Sequence, residues 1–503
     1  MALCRHPQLA PCINIMTTEN TKITGADLIA QGWAPGPAIG MALRVAQGLP
    51  NPKEEILQTL AQVYEMPADY LDHKHWGEAA GALILKMRKE AGPEPIELRT
   101  SAAPLSVWGR EMIDEKSFDQ INDAAKLPVA LRVALMPDAH VGYGIPIGGV
   151  VALDGAIAPY MVGVDIGCRM HATIIDRSPI HLDQDTRGYV KYLREHTFFG
   201  RTGPSKGKEN AHAILDDPRW DELPREFIGL KDTAHKQLGT SGGGNHFVEF
   251  CKLTVYADNP LDLEPGKYIA LVSHSGSRGV GYKLANYYTQ LAEQVCAGLP
   301  ESVRRLAYFT YGTGPAAEYE LAMNLAGDFA KANHEVIHQR ISEDIGSDLV
   351  LGTIQNHHNF AWKFEQEEGN PVYVHRKGAT PAEDGVLGII PGSMGTPGFF
   401  VEGLGGRNDD ILKNASLNSA SHGSGRVLGR RQAIKRLDAR AIKQALKKKG
   451  ITLIGGGLDE APDAYKDSRK VLAAQKDLVR TWAEFEPVVV RMDAAKGKSL
   501  GNR

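Results

Sequence analysis

Six islands of reactive side chains stand among glycines and other small residues: Met136-Pro-Asp-Ala-His140, Asp165-Ile-Gly-Cys168, Gly244-Asn-His246, Ser273-His-Ser-Gly-Ser-Arg278, Asn356-His-His-Asn359 and Ser421-His-Gly-Ser-Gly-Arg426. Spread over about 280 residues, they are too dispersed for a local zinc finger, whose ligands are close in sequence. They read as ligands gathered by a large fold around one site. Asp165 and Cys168 lie three apart on a glycine-containing turn; a carboxylate with a thiolate suits a divalent transition metal, and the thiolate can bridge two ions. Taken alone, the pair reads better as a buried structural cysteine beside a turn aspartate. His246 closes the run Gly239-Thr-Ser-Gly-Gly-Gly-Asn245, where consecutive glycines let backbone approach a ligand and offer N–H groups to an anion; the alternative is a flexible loop with an incidental histidine. His274 follows the apolar run Tyr268 to Ser273, at a strand end of the kind that carries ligands, and Ser275 to Arg278 beside it suit a phosphate. His357 and His358 are adjacent and point apart on any regular element, so at most one is a direct ligand, with Asn356 or Asn359 holding its second nitrogen or a nucleotide. One carboxylate, one thiol and three histidines, all in Gly, Asn and Ser settings, favour a shared metal site over separate coincidences.

His422 has different surroundings. Gly423 and Gly425 flank Ser424, so peptide N–H groups can surround a phosphate, while Arg426 and Arg430 add fixed positive charge. Neutral imidazole is abundant near pH 7 and can attack phosphorus; it can equally do no more than hydrogen-bond a bound anion. Standard nucleotide motifs do not account for the site. Gly497-Lys498-Ser499 has Met492 where a P-loop needs its first glycine, and Gly429 stands one residue too late after Gly423-Ser-Gly425 for a GxGxxG turn. The Gly-x-Ser-x-Gly matches at 203–207 and 239–243 do not follow an apolar strand run as a nucleophile elbow does, so Ser-His-Asp hydrolysis gains no support.

The elements that must position these groups begin at about Ile96. From there short β-branched runs bounded by glycine or proline (147–153, 268–273, 386–390, 451–454) alternate with helical patterns near 281–298, 315–345 and 431–449, which predicts an α+β core rich in sheet. Residues 202–212 and 405–410 read as polar loops. The N-terminal stretch ahead of Thr24 is polar. Thr24 to about Gly92 is helical in pattern, with Trp33 to Gly40 separating two short helices. Asn51 reads as an N-cap with Pro52 at the first helical position, followed by Ile56, Leu60 and Val63 on one apolar face. Residues 1–95 are thus expected to form an appended helical module, and 96–503 the catalytic domain.

Composition sets outer bounds. A chain of 503 residues, 43% of them hydrophobic, can bury a large core. The 57 Lys and Arg against 60 Asp and Glu leave a net charge of −3, which neither announces nor excludes a nucleic-acid partner. No stretch approaches the ~20 apolar residues of a membrane span, and the N-terminus lacks the apolar run of a secretory signal. Five cysteines make no disulfide framework and suit a reducing compartment. A cytoplasmic location is expected.

Together the islands resemble the RtcB family of GTP- and metal-dependent RNA ligases. The likeness runs from about residue 96 to the C-terminus and rests on MPDAHVGYGIPIGG (136–149), VGVDIGC (162–168), GTSGGGNHFVE (239–249), HSGSRG (274–279), HHN (357–359), HRKGAT (375–380), IPGSMGT (390–396), HGSGR (422–426) and EAPDAYKD (460–467). It implies metal ligands at Asp165, Cys168, His246, His274 and His358 for two Mn2+ ions, and a guanylylated nucleophile at His422. It implies nucleotide contacts at Asn245, Phe247, Glu249, Asn359, Pro391, Gly392, Ser393, Met394, Gly423, Ser424, Gly425 and Tyr465, with Lys496 as the candidate for a C-terminal base contact. The implied reaction joins an RNA 3′-phosphate or 2′,3′-cyclic phosphate to a 5′-hydroxyl at the expense of GTP, in tRNA splicing or RNA repair. Rival readings are a binuclear metal phosphoesterase without covalent nucleotide and an inactive nucleic-acid-binding paralogue; the residues do not specify an activating protein partner.

Three departures from the family pattern stand out: Gly398 and Gly429 replace serines common there, and a tail follows residues 488–492. They imply weaker discrimination for guanine and a divergent paralogue. Between Arg426 and Lys449 ten basic residues face Asp438 alone, a local charge of +9. The run starts four residues after His422, where an RNA end must arrive. Arg426, Arg430, Arg431, Lys435 and Arg436, with Arg278, are therefore expected to hold RNA phosphates. The bland reading is a solvated basic helix.

Overall fold

Strand-length apolar runs build two large mixed sheets in the second of the chain's two units, Met1–Glu94 and Pro95–Arg503. The structure is a computed structural model that describes residues 22–200, 211–406, 411–493 and 499–501; Lys496 and most of the 202–212 and 405–410 stretches lie outside these. The first unit contains the helices Gly25–Ala30, Pro37–Ala46, Lys53–Glu65 and Gly77–Ala91, closed over Leu28, Trp33, Leu60, Val63 and Trp76. The third helix differs from the expected cap. It begins at Lys53, and Pro52 (ψ 144°) flanks it with a carbonyl that accepts from Ile56 N–H. Asn51 donates to the Glu55 carboxylate at 3.3 Å and caps no backbone group.

The second unit is α+β. A five-stranded sheet runs in the order Leu105–Val107, Ala130–His140, Ile147–Asp154, Val372–Lys377, Asn359–Phe364. An eight-stranded sheet runs Leu387–Ile390, Gly398–Gly403, Val479–Met492, Phe247–Val255, Gly266–Ser275, Arg169–Ile175, Val350–His357, with Thr452–Ile454 paired in parallel to Val479–Met492. The chain passes from one sheet to the other at His358, between Val350–His357 and Asn359–Phe364. The 32-residue helix Gly314–Ile345 packs against the inner strands of the larger sheet. A two-stranded pair, Ala379–Pro381 with Ser419–Ser421, delivers His422. The helix expected over 431–449 is two helices, Arg430–Arg436 and Ala439–Lys448. The break arises because Leu437 is extended and the Asp438 carboxylate caps the second helix by accepting from Arg440 N–H at 2.8 Å. Among the described residues no helix is long and apolar enough to cross a membrane.

Candidate active site

Antiparallel register carries the reactive groups to one end of the larger sheet. Phe247 and Met170 both pair with His274, and Arg169 pairs with His357, so Cys168, His246, His274 and His358 arrive together. Cys168 Sγ lies 3.1 Å from His274 Nε2 and 3.5 Å from His246 Nε2. His274 Nε2 is 3.3 Å from His358 Nε2, and His246 Nε2 is 2.9 Å from Asp165 Oδ2. The donors form two overlapping sets, Cys168–His274–His358 and Asp165–Cys168–His246, sharing only the thiol. Such an arrangement fits a thiolate bridging two transition-metal ions. The adjacent His357 turns away and stacks on Trp362, with ring centroids 4.8 Å apart.

The protonation chemistry fits metal as well. His274 Nδ1 donates to the Asn245 carbonyl at 3.2 Å, which leaves the Nε2 lone pair facing the centre. Burial drives the His274 imidazole down to about 3 and His358 well below its usual range, so both rings are neutral at physiological pH, the form that can hold a metal. Burial and then the Asp165 charge push the Cys168 thiol up; a bound cation would supply the field that lets its proton leave. At Asp165 burial acts upward, but the His246 hydrogen bond and charge prevail and hold the carboxyl low. Gly276 leaves room for that carboxylate, because a Cβ there would collide with Asp165 Oδ1.

A second layer holds the ligand strand. Neighbouring strand residues alternate faces, so Ser273 and Ser275 point away from His274 toward the helix Gly314–Ile345. His334 Nε2 faces the Ser275 carbonyl at 3.2 Å and must donate to it. Burial keeps His334 and His338 neutral, which fixes the rest of the chain. Ser273 O–H donates to His334 Nδ1 at 2.6 Å. Ser273 Oγ accepts from His338 Nε2–H at 2.7 Å, and Thr173 O–H donates to His338 Nδ1 at 2.7 Å.

His422 stands beside this cluster, its ring centroid 4.8 Å from that of His358. Its Nδ1 is 2.7 Å from Asp138 Oδ2, and Asp138 is fully buried. Lys466 Nζ donates to the carbonyls of Pro137 (3.0 Å) and Ala139 (2.6 Å), placing a cation beside that aspartate. Gly425 has a φ of 69°, and a Cβ there would collide with the Asp138 carbonyl, so only glycine lets the turn after His422 close on the aspartate. Gln475 accepts from Ser421 N–H at 2.9 Å and so secures the residue before His422. Asp138, Lys466 and Gln475 carried no assigned role in the sequence, although Asp138 lies in one of the islands and Lys466 in EAPDAYKD; their partners are far away along the chain.

The expected nucleotide contacts divide. Ser424 O–H donates to the Pro391 carbonyl at 3.3 Å, joining the Pro391–Met394 turn to the Gly423–Gly425 turn. Phe247 packs edge-on to His274 (5.8 Å) and against the apolar cluster that includes Met394. Glu249 lies two residues on, on the same strand face, buried, with Cys251 S–H as its hydrogen-bond donor at 3.4 Å. Burial pushes its carboxyl up to about 8. Asn359 is committed to backbone, donating to Asp165 O (3.2 Å) and accepting from Gly378 N (2.8 Å). The Gly398 departure has a packing cause, since a Cβ there would collide with the Phe485 ring.

The expected RNA contacts divide too. Arg426 donates to the Leu428 and Asp459 carbonyls, to Glu460 and to Tyr465, which also hydrogen-bonds Glu460. Arg430 pairs with Asp459 at 2.7 Å and with Glu460. Arg278, at φ 57°, donates to Thr240 Oγ1 (3.2 Å) and the Gly200 carbonyl. Arg431, Lys435 and Arg436 are exposed on their helix.

A family model described as tRNA-splicing ligase RtcB matches residues 120–220 and 228–493. The chain is similar to the RNA-splicing ligase RtcB of Escherichia coli, 34% identical over 422 residues that cover 78% of this chain and 98% of that one. It is 31% identical over 434 residues to the RNA-splicing ligase RtcB of Mycobacterium tuberculosis, covering 73% and 99%. With the tRNA-splicing ligase RtcB of Archaeoglobus fulgidus it shares 29% over 440 residues, covering 72% and 87%.

Proposed function

The chain belongs to the RtcB family, and from that premise we propose that it is an RNA ligase that joins 3′-phosphate or 2′,3′-cyclic phosphate ends to 5′-hydroxyl ends through a covalent His422–GMP. The observation that carries the reading is the pairing of His422 Nδ1 with buried Asp138 at 2.7 Å while the ring stands beside the metal-ligand cluster. Two manganese ions held by Asp165, Cys168, His246, His274 and His358 would supply positive charge to the phosphates.

The chain's own residues account for the rest. With its Nδ1 proton held by Asp138, His422 presents the Nε2 lone pair to the α-phosphorus of GTP. A P–N bond forms, the bond to pyrophosphate breaks, and the Asp138 carboxylate balances the charge gained by the ring. A 2′,3′-cyclic end is first opened by water, which breaks the bond from phosphorus to O2′. An oxygen of the resulting RNA 3′-phosphate then attacks the phosphorus held by His422, breaking the P–N bond and restoring neutral His422. The 5′-hydroxyl of the second strand attacks the activated 3′-phosphate, loses its proton and expels GMP. The Glu249 carboxylate, ionised, offers two acceptor oxygens to guanine's ring N–H and amino group, a donor pair that adenine lacks. The RNA is held by exposed cations of the basic helix, Arg431, Lys435 and Arg436, and the protein acts in the cytoplasm.

Incubation with α-labelled GTP and manganese, followed by denaturing electrophoresis, tests the reading. Wild type is expected to carry label and His422→Ala none at near-normal metal content. An unlabelled wild type would return the site to metal phosphoester hydrolysis.

A further inference from the structure

The loop 141–146, outside every role assigned so far, is clamped at both ends to the surroundings of His422. Before it, His140 Nδ1 donates to the Asp138 carbonyl at 3.0 Å and stands 3.5 Å from the Arg426 backbone nitrogen, in the turn that carries His422. After it, Ile147 packs on Gly378, whose position is so close to the nucleophile that a Cβ there would stand 3.1 Å from His422 Cε1. The loop's crest is fastened by buried Lys377, which donates to the carbonyls of Tyr143 and Tyr160. The Lys377 stem lies against Gly163, two residues before the ligand Asp165, with 3.4 Å from its Cε to a Cβ built at Gly163. Tyr143 follows His140 by three residues, so its Cα stands at most about 11 Å from that of His140.

What this rigid mount presents is an exposed ring. Tyr143 is 66% exposed, and the apolar side chains nearest in sequence to it and to Asp165, Val141 and Val164, are 48% and 42% exposed. The Arg305 guanidinium lies 5.3 Å from the Tyr143 ring centroid and 5.9 Å from that of Tyr160. Among the described residues no carboxylate pairs with Arg305, so its charge is available to an anion. An aromatic face backed by an uncommitted guanidinium matches a nucleotide, base on the ring and phosphate on the cation. We infer that Tyr143 and Arg305, mounted by Lys377, form a stacking platform for a base at the end of the RNA strand. The inference rests on the ligase reading for its choice of ligand, and on the loop for its place.

Equilibrium binding of a labelled single-stranded oligoribonucleotide ending in a 3′-phosphate is the test, with no catalysis required. Tyr143→Ala is expected to weaken binding about 5- to 150-fold, the span for one stacked base, while Tyr143→Phe stays close to wild type. An oligonucleotide lacking bases at its terminal nucleotides should bind wild type as weakly as Tyr143→Ala and make the two proteins indistinguishable. Affinity that survives Tyr143→Ala, or a loss that is the same with and without the bases, overturns the platform. A wild type that binds RNA through Tyr143 yet takes no label from GTP would overturn the ligase reading and leave the platform standing.

Discussion

Replacing Asp138 by asparagine changes charge and hydrogen-bonding pattern at almost constant volume, and isolates what that side chain does for His422. The carboxylate is fully buried and 2.7 Å from Nδ1. A hydrogen bond to a charged group of this kind contributes about 1.5–3 kcal/mol, or about 10- to 150-fold in rate if it strengthens as the ring gains charge. Both orientations of the amide do harm. With its carbonyl toward Nδ1, the NH2 occupies the place of Asp138 Oδ1, a buried atom without a hydrogen-bond partner. With the NH2 toward Nδ1, the ring must carry its proton on Nε2, which blocks the attacking lone pair; in the serine-protease triad the equivalent change lowers kcat about 10⁴-fold. Single-turnover labelling with α-labelled GTP should therefore slow by at least about 10-fold, with metal content and thermal melting near wild type. Labelling at the wild-type rate would falsify the assignment of Asp138 as the group that orients the nucleophile.

Other expectations follow from the same geometry. Because Cys168 belongs to both donor sets, Cys168→Ala should empty both metal positions, whereas Asp165→Asn should lower the stoichiometry by one; metal analysis of the purified variants decides it, and equal losses would rule out a shared thiolate. Glu249→Gln should weaken GTP binding about 10- to 150-fold with little effect on ATP, read by competition for labelling. Since burial pushes Glu249 up to about 8, the free protein holds it protonated at neutral pH. Affinity for GTP should rise as pH approaches 8 and level off above, a trend that Glu249→Gln abolishes. Lys435→Ala with Arg436→Ala should flatten the salt dependence of single-strand binding by about 1.4 in the log–log slope; an unchanged slope makes that helix a solvated face.

The candidate metal ligands stood out in the sequence because small, flexible neighbours set reactive residues apart from core positions, whereas the role expected of His422 came from the family resemblance. The glycines that made them conspicuous are the ones that admit them, as Gly276 does for Asp165 and Gly425 for the backbone behind Asp138. The two helices over 430–448 run together in the sequence because the basic run is continuous, although Asp438 carries a usable N-cap signal. Local charge counting also missed that Arg426 and Arg430 are taken up by Asp459 and Glu460, some thirty residues downstream. Long-range partnerships left no local trace. Asp138 meets His422 across 284 positions, and Gly398 owes its identity to Phe485, so a site residue can be visible while its support is not.

The polar chain Thr173–His338–Ser273–His334–Ser275 has a consequence for how the site comes into being. A strand has two sides, and a slip of one residue exchanges them. Were Gly266–Ser275 to pair one step out of place, His274 would be driven into the helix Gly314–Ile345, buried His334 would lose both its partners and His338 would keep Thr173 alone. The error is penalised on both faces of the strand at once. Docking of the helix therefore acts as a proofreader for the site: only a chain threaded in the correct register satisfies the helix, and only that chain gathers Cys168, His246, His274 and His358 together.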